Sequence, residues 1–273
     1  MNTIPDKPSE NLFKIYVPLI ITILIIPVAI IVGLTETQKR TATEPYFAPS
    51  STPEPTILRG PTVSTPTPLP PYTSIVSGIS RDEMISIFRE SILTKEQNKY
   101  VLYRWETPVK VWLRGQPTSS DRSCANLAVG ELTQRMTSTS VTISENQGNF
   151  VIYLLPKAQL SSIKPDVNPT SIVELFPEYD LSAQTFTSAK LLISSDLSQE
   201  GRCLELRKYL LSGLGVHPVT KNFSSTNYLS LNSPSSAIPY GPVDREIIRI
   251  LYSEYITPGL TGTEITRRLS GQQ

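Results

Sequence analysis

Apolar and polar positions divide the chain into three stretches of different character. Ile15 to Leu34 carries no charge, and 16 of its 20 residues are apolar, the others being Pro18, Thr22, Pro27 and Gly33. As a helix rising about 1.5 Å per residue, it spans a hydrocarbon core of about 30 Å. Membrane-spanning helices tolerate its two prolines. We read it as an uncleaved single-pass transmembrane helix behind a short tail, residues 1–14. The other reading is a cleaved signal peptide, which calls for an apolar region of only ~7–15 residues ending in small residues. Val32-Gly33-Leu34-Thr35 is a poor cleavage point of that kind. Lys7 and Lys14 before the span, and Lys39 and Arg40 after it, leave orientation undecided by charge.

Residues 35–72 lose all periodicity. Nine prolines (Pro45, Pro49, Pro53, Pro55, Pro61, Pro66, Pro68, Pro70 and Pro71) stand there among many Thr and Ser. Such a tract favours extended polyproline conformations and cannot bury a core. It reads as a disordered stalk that lifts a domain off a membrane surface, which places residues 73–273 outside the cytoplasm.

Periodicity returns in residues 73–273. Ser80-Arg81-Asp82-Glu83 is a capping-box pattern, and Met84, Ile85, Phe88 and Ile92 form a helical stripe through about Lys95. Val109, Val111 and Leu113 alternate along a strand, and Gly115-Gln116-Pro117 turns the chain. A second helix carries Cys124, Leu127, Ala128, Leu132 and Met136 on its stripe. Strands at Val141–Ser144 and Phe150–Leu155 flank Asn146-Gln147-Gly148-Asn149, which reads as a hairpin turn. Residues 156–185 read as irregular beyond a helical turn after Pro156, and Phe186–Ser194 as a strand. Ser198 caps a helix to about Leu214, where Gly215 suits its end. Helices from Val243 to Tyr255 and from Thr261 or Thr263 close the chain around a break at Pro258-Gly259. Strands and helices do not alternate strictly, which predicts an α+β domain with a mostly antiparallel sheet packed against helices.

Composition narrows the chemistry. Lys+Arg 25 against Asp+Glu 24 gives a formal charge of +1, so a general basic field for nucleic acid is absent and none is expected as a partner. One histidine and two cysteines cannot assemble a zinc site of several His or Cys ligands. Cys124 and Cys203 both sit on apolar stripes, so they are either two buried thiols or, in an oxidising compartment, a disulfide. Tyr100, Tyr103, Trp105 and Trp112 cluster near the first strands, as core or as a stacking surface.

Several runs carry a resemblance. Arg104-Trp105, Pro108-Val109, Leu113-Arg114-Gly115, Pro117-Thr118 and Asp121-Arg122 open it. Leu191-Leu192-Ile193, Arg202-Cys203 and Leu214-Gly215 continue it, and Asp244-Arg245, Ile248, Leu251-Tyr252 and Pro258-Gly259-Leu260-Thr261 end it. Together they resemble a bacterial envelope family catalogued as domain of unknown function 2927. The element order, strand, helix, three strands and a long helix, is more distantly similar to the upper half of zincin metalloproteases. There the long helix carries H-E-x-x-H, two zinc-binding imidazoles and a glutamate that activates water.

Gly213-Leu214-Gly215-Val216 is similar to the segment that closes the zincin helix. Lys208, Tyr209 and Ser212 stand where the resemblance would require His, Glu and His, and Pro218, beside His217, stands at the third ligand position. A lysine cation repels a metal, and serine is a weak zinc ligand. The resemblance therefore implies a degenerate zincin-like fold without catalytic or metal-binding residues and without a cofactor. The function expected is a non-catalytic binding or scaffold module engaging an envelope protein or ligand. The alternative is an envelope hydrolase using other residues, for which a cleft joining Glu205 and His217 to the loop at 156–185 or 220–236 is the feature to look for. A third reading, an interaction platform, calls for an exposed apolar patch.

Overall fold

A computed structural model describes residues 71–96, 99–168 and 170–271. The apolar span at 15–34 and the stalk as far as residue 70 lie outside the described residues. Among the described residues, no helix is long and apolar enough to cross a membrane.

Helix α1 (Arg81–Ile92) begins where Ser80 Oγ accepts the N–H of Glu83 at 3.2 Å, and the stripe Met84, Ile85, Phe88 and Ile92 is buried. It stops short of Lys95. The chain turns at Leu93 into β1 (Leu93–Glu96), which pairs antiparallel with β2 (Lys99–Leu102).

Five further strands form the main sheet: β3 (Val109–Gly115), β4 (Val141–Ser144), β5 (Phe150–Leu155), β6 (Val173–Asp180) and β7 (Thr185–Ser194), in the order β4-β3-β5-β7-β6. The fold is α+β, but the sheet is mixed. β3 runs parallel to β4 and to β5, β5 runs parallel to β7, and only β6 is antiparallel, to β7. The expectation of a mostly antiparallel sheet is corrected, and the connections give the reason. Helix α2 (Ser119–Thr133) returns the chain between β3 and β4. The link at 145–149 is no hairpin: β4 ends opposite Trp112 on one side of β3, and β5 begins opposite Val111 on the other. The link therefore crosses β3, and Gly148 lies against the Lys110 carbonyl and the Trp112 Cβ, where a side chain would collide. Asn149 fixes the crossing. Its Oδ1 accepts the Lys110 N–H at 2.7 Å and its Nδ2 donates to the Pro108 carbonyl at 3.0 Å.

Strand β6 lies inside the stretch that reads as irregular. Its residues are half-buried or exposed, and Phe176 and Pro177 interrupt the alternation of Val173, Leu175 and Tyr179 with Glu174 and Glu178. At the sheet edge a missing N–H is tolerated, because one side of the strand has no partner. The expected helical turn after Pro156 is a 3₁₀ turn (Lys157–Gln159) leading into the short α3 (Leu160–Ile163).

One face of the sheet, with Val109, Val111, Leu113, Ile152, Leu154, Leu191 and Ile193, joins the main core under α2 and α4 (Gln199–Gly213). The opposite face is covered in part by Leu160 and Val167 packed with Leu192 and Phe176. Beyond that cover, the Arg114 guanidinium lies 4.6 Å from the Trp112 ring centroid. Helices α5 (Pro242–Leu251) and α6 (Gly262–Ser270) complete the core beside α1, with Thr261 and Glu264 forming a capping box. On α2 the stripe holds except at Leu127, which is 63% exposed. Tyr72, read in the sequence as the last stalk residue, belongs to the core. It is 3% exposed, its hydroxyl donates to Glu246, and its backbone N–H donates to Leu269 O at 3.0 Å.

Candidate functional site on helix α4

Three cross-links hold α4 against α2. Asp121 accepts from Arg202 Nε at 2.9 Å, Cys124 is disulfide-bonded to Cys203 with Cα atoms 5.9 Å apart, and Glu131 accepts from Arg207 at 2.9 Å. Residue numbers rise together along both helices, so the two run parallel. Of the two readings open for the cysteines, the bridge is the one realised. Glu131 also accepts the Tyr240 N–H at 2.8 Å, which accounts for both of its oxygens structurally.

The inner side of α4 buries Leu206, Arg207, Leu210 and Leu211. Glu205, Lys208, Tyr209 and Ser212 recur at helical spacing on the half-buried side. The Lys208 ammonium lies 5.8 Å from the Tyr209 ring centroid, and Ser212 Oγ donates to the Lys208 carbonyl at 3.5 Å, a long backbone contact. Burial raises the Tyr209 hydroxyl above its ordinary pKa, and the negative charges of Glu205 and Glu174 raise it further. Glu174 reaches Tyr209 from β6, a neighbour that spacing along the chain does not reveal. An ammonium, a phenol held neutral and a hydroxyl are hydrogen-bonding and stacking groups. Ser212 Oγ turns to the Lys208 carbonyl and not to its amine, so the two are not arranged here as a nucleophile and its base.

The helix ends in a Schellman motif: Gly215 N–H donates to Ser212 O at 3.0 Å and Val216 N–H to Leu211 O at 3.1 Å. Gly215 takes φ +92° there, with the Tyr103 carbonyl too close for a side chain. His217 follows, and its backbone N–H donates to Ser91 O at 2.6 Å beside the end of α1. Burial lowers its pKa below the ordinary 6.5. Glu205 lies two turns before the helix end, about 12 Å along the axis from Gly213. The structure thus sets Glu205 beside Tyr209, and His217 beyond the far end of the helix. Among the described residues, no three His, Cys, Asp or Glu side chains gather as a metal-ligand group.

Of the four aromatics near the first strands, Tyr103 and Trp105 are core, packed around Phe186, and Tyr100 is 55% exposed. Trp112 is half-buried beneath Arg114.

Residues 81–271 match the family described as protein of unknown function, DUF2927. The chain belongs to this family. No curated protein matches it. The runs that carry the DUF2927 resemblance converge at the back of α4. Trp105 Nε1 donates to Gly213 O at 2.8 Å, Tyr252 hydroxyl to Leu214 O at 2.9 Å, and Arg104 to Leu251 O at 2.8 Å and Ile256 O at 2.7 Å. Gly259 N–H donates to Leu102 O at 3.0 Å. These contacts hold the scaffold that positions α4.

Proposed function

We propose that the chain is a membrane-anchored, single-pass protein whose DUF2927 domain works outside the cytoplasm by binding, on a zincin-like scaffold that has lost its metal chemistry. The observation that carries this reading is the half-buried side of α4. It presents Lys208, Tyr209 and Ser212 where the related chemistry needs His, Glu and His. Strand, helix, two strands, a short helical segment, two more strands and a long helix ending in Leu214-Gly215 support the scaffold reading, with α3 and β6 added to the order expected from sequence. The extracytoplasmic reading draws support from the Cys124–Cys203 bridge, since disulfides persist in oxidising compartments. The charge-free span at 15–34 supports the anchor.

The binding surface in this reading is the α4 side together with edge strand β6. Ile172 and Leu181, at 45% and 66% exposure, are large apolar side chains flanking that strand, and Tyr179 within it is 38% exposed while packing on Tyr103 and Phe186. The occupant is an envelope protein or ligand. The test uses the full chain, purified in nonionic detergent, supplied with zinc and dialysed. The expected result is no zinc retained per chain and no chelator-sensitive peptidase activity. About one zinc per chain, with peptidase activity abolished by chelator and by Glu205→Ala, would overturn the proposal.

A further inference from the structure

A second feature lies away from α4, where residues 75–76, the end of α2 and the start of α5 meet. A cavity of about 150 Å³ is lined by Ile75, Val76, Arg135, Pro242, Arg245 and Glu246. Its charges do not balance. Glu246, buried, accepts from Arg249 through both oxygens at 2.8 Å and from the Tyr72 hydroxyl, so its charge is already compensated. Asp244, next to Arg245, turns inward and accepts three backbone N–H groups, from Tyr228, Leu229 and Gly241. Arg245 acts on Asp244 through space only, and among the described residues neither Arg135 nor Arg245 has a hydrogen-bonding or ion-pair contact to its guanidinium. Arg135 Nε is moreover shut off from water with no acceptor.

We infer that this cavity is a binding site for a single oxyanion group, a phosphate or a carboxylate, held by Arg135 and Arg245. A guanidinium whose Nε is out of reach of water is incompletely hydrated. An anion meeting its other nitrogens therefore gains more than at a fully solvated arginine. Two planar forks suit either oxyanion. The volume matches one such group and is well below the ~300–1,000 Å³ of a drug-sized pocket. Ile75, Val76 and Pro242 give the cavity an apolar wall that suits the carbon or ester end of the ligand. The inference is independent of the binding surface proposed on α4.

The test is calorimetric titration of the full chain in nonionic detergent, at constant ionic strength, with inorganic phosphate in one arm and acetate in the other. The stronger arm identifies the oxyanion. Saturable binding is expected in at least one arm. Arg245→Gln should weaken it at least tenfold, as should Arg135→Lys, which keeps the charge but loses the fork. Arg114→Gln, on the far sheet face, should leave it unchanged. Each variant is checked for an unchanged thermal midpoint, and Arg245, being half-exposed, is the substitution the fold tolerates best. No saturation in either arm up to about 10 mM, an affinity untouched by Arg245→Gln, or an equal loss in Arg114→Gln would overturn the inference.

Discussion

The indole nitrogen of Trp105 donates to the carbonyl oxygen of Gly213 at 2.8 Å, tying the approach to β3 to the last turn of α4. Trp105 is fully buried and stacks on Phe186, with centroids 5.7 Å apart. Gly213 in turn lies against the Phe150 ring with no room for a Cβ. The end of α4 is thus fixed by close approach as well as by its own hydrogen bonds.

Two substitutions probe this junction. Trp105→Phe leaves a cavity and an unpaired carbonyl, and should cost about 2–4 kcal/mol. Gly215→Ala forces a side chain into a left-handed position facing the Tyr103 carbonyl, and should cost about 1–3 kcal/mol. Urea unfolding followed by circular dichroism checks both. Midpoints within error of the wild type would mean that the junction relaxes freely.

The bridge between Cys124 and Cys203 closes a loop of 79 residues in sequence separation. In the chain-entropy model this stabilises by about 4.5 kcal/mol. A reductant should lower the unfolding midpoint of the wild type and leave the Cys124→Ala/Cys203→Ala double variant unmoved. A wild-type midpoint insensitive to complete reduction would show that the Asp121–Arg202 and Glu131–Arg207 pairs suffice to hold α2 and α4 together.

What the sequence disclosed follows a physical pattern. Elements with one buried face were legible: the stripe of α1, the alternation of β3 and the caps at Ser80, Ser198 and Thr261 all reflect local chemistry. Strand β6 was not, because an edge strand half-open to solvent accepts Phe176 and Pro177, which break its alternation. The hairpin read at Asn146–Asn149 failed for another reason. A short loop with Gly is equally suited to a tight turn and to a crossing over β3, and only the partners of β4 and β5 distinguish them. At the candidate site, Lys208, Tyr209 and Ser212 stood out only through the zincin resemblance, and their half-buried placement comes from the packing of α4. Glu174, and the compensation of Glu246 by Arg249, depend on contacts between distant segments.

Tyr72 predicts where the domain begins. A fragment starting at residue 71 keeps the hydroxyl contact to Glu246 and the backbone bond to Leu269, and one starting at residue 73 loses both along with a buried ring. The shorter fragment should be less stable by about 3–5 kcal/mol, and Tyr72→Phe in the longer one by about 1 kcal/mol. Thermal and urea unfolding of the three proteins decides this. Equal stability of the two fragments would return Tyr72 to the stalk.

Asp244 predicts an unusual pH dependence. It is fully buried, and burial pushes its pKa up to about 6 despite three backbone N–H donors and nearby Arg245. An unfolded chain holds an aspartate near ~3.9. Between about pH 4 and pH 6 the folded domain therefore binds this proton more fully than the unfolded chain does, and the group's contribution to stability falls as pH rises. Above about pH 7 the loss is complete, at about 2–3 kcal/mol relative to strong acid. Other groups act the opposite way. His217 has its pKa lowered by burial, and at Asp121 the bonds from Arg202 and Thr118 outweigh burial to lower it, so both contributions are lost as pH falls. The raw profile mixes these effects, and the difference between wild type and Asp244→Asn isolates one of them. Asparagine does not titrate and offers one oxygen to three donors, so it should destabilise. The cost should be largest at about pH 4 and below and shrink by about 2 kcal/mol between pH 4 and pH 7, because the wild type alone weakens across that window. Urea unfolding at half-unit pH steps measures it. A cost that stays level or grows with pH would mean that the three N–H donors, and not burial, govern this carboxyl.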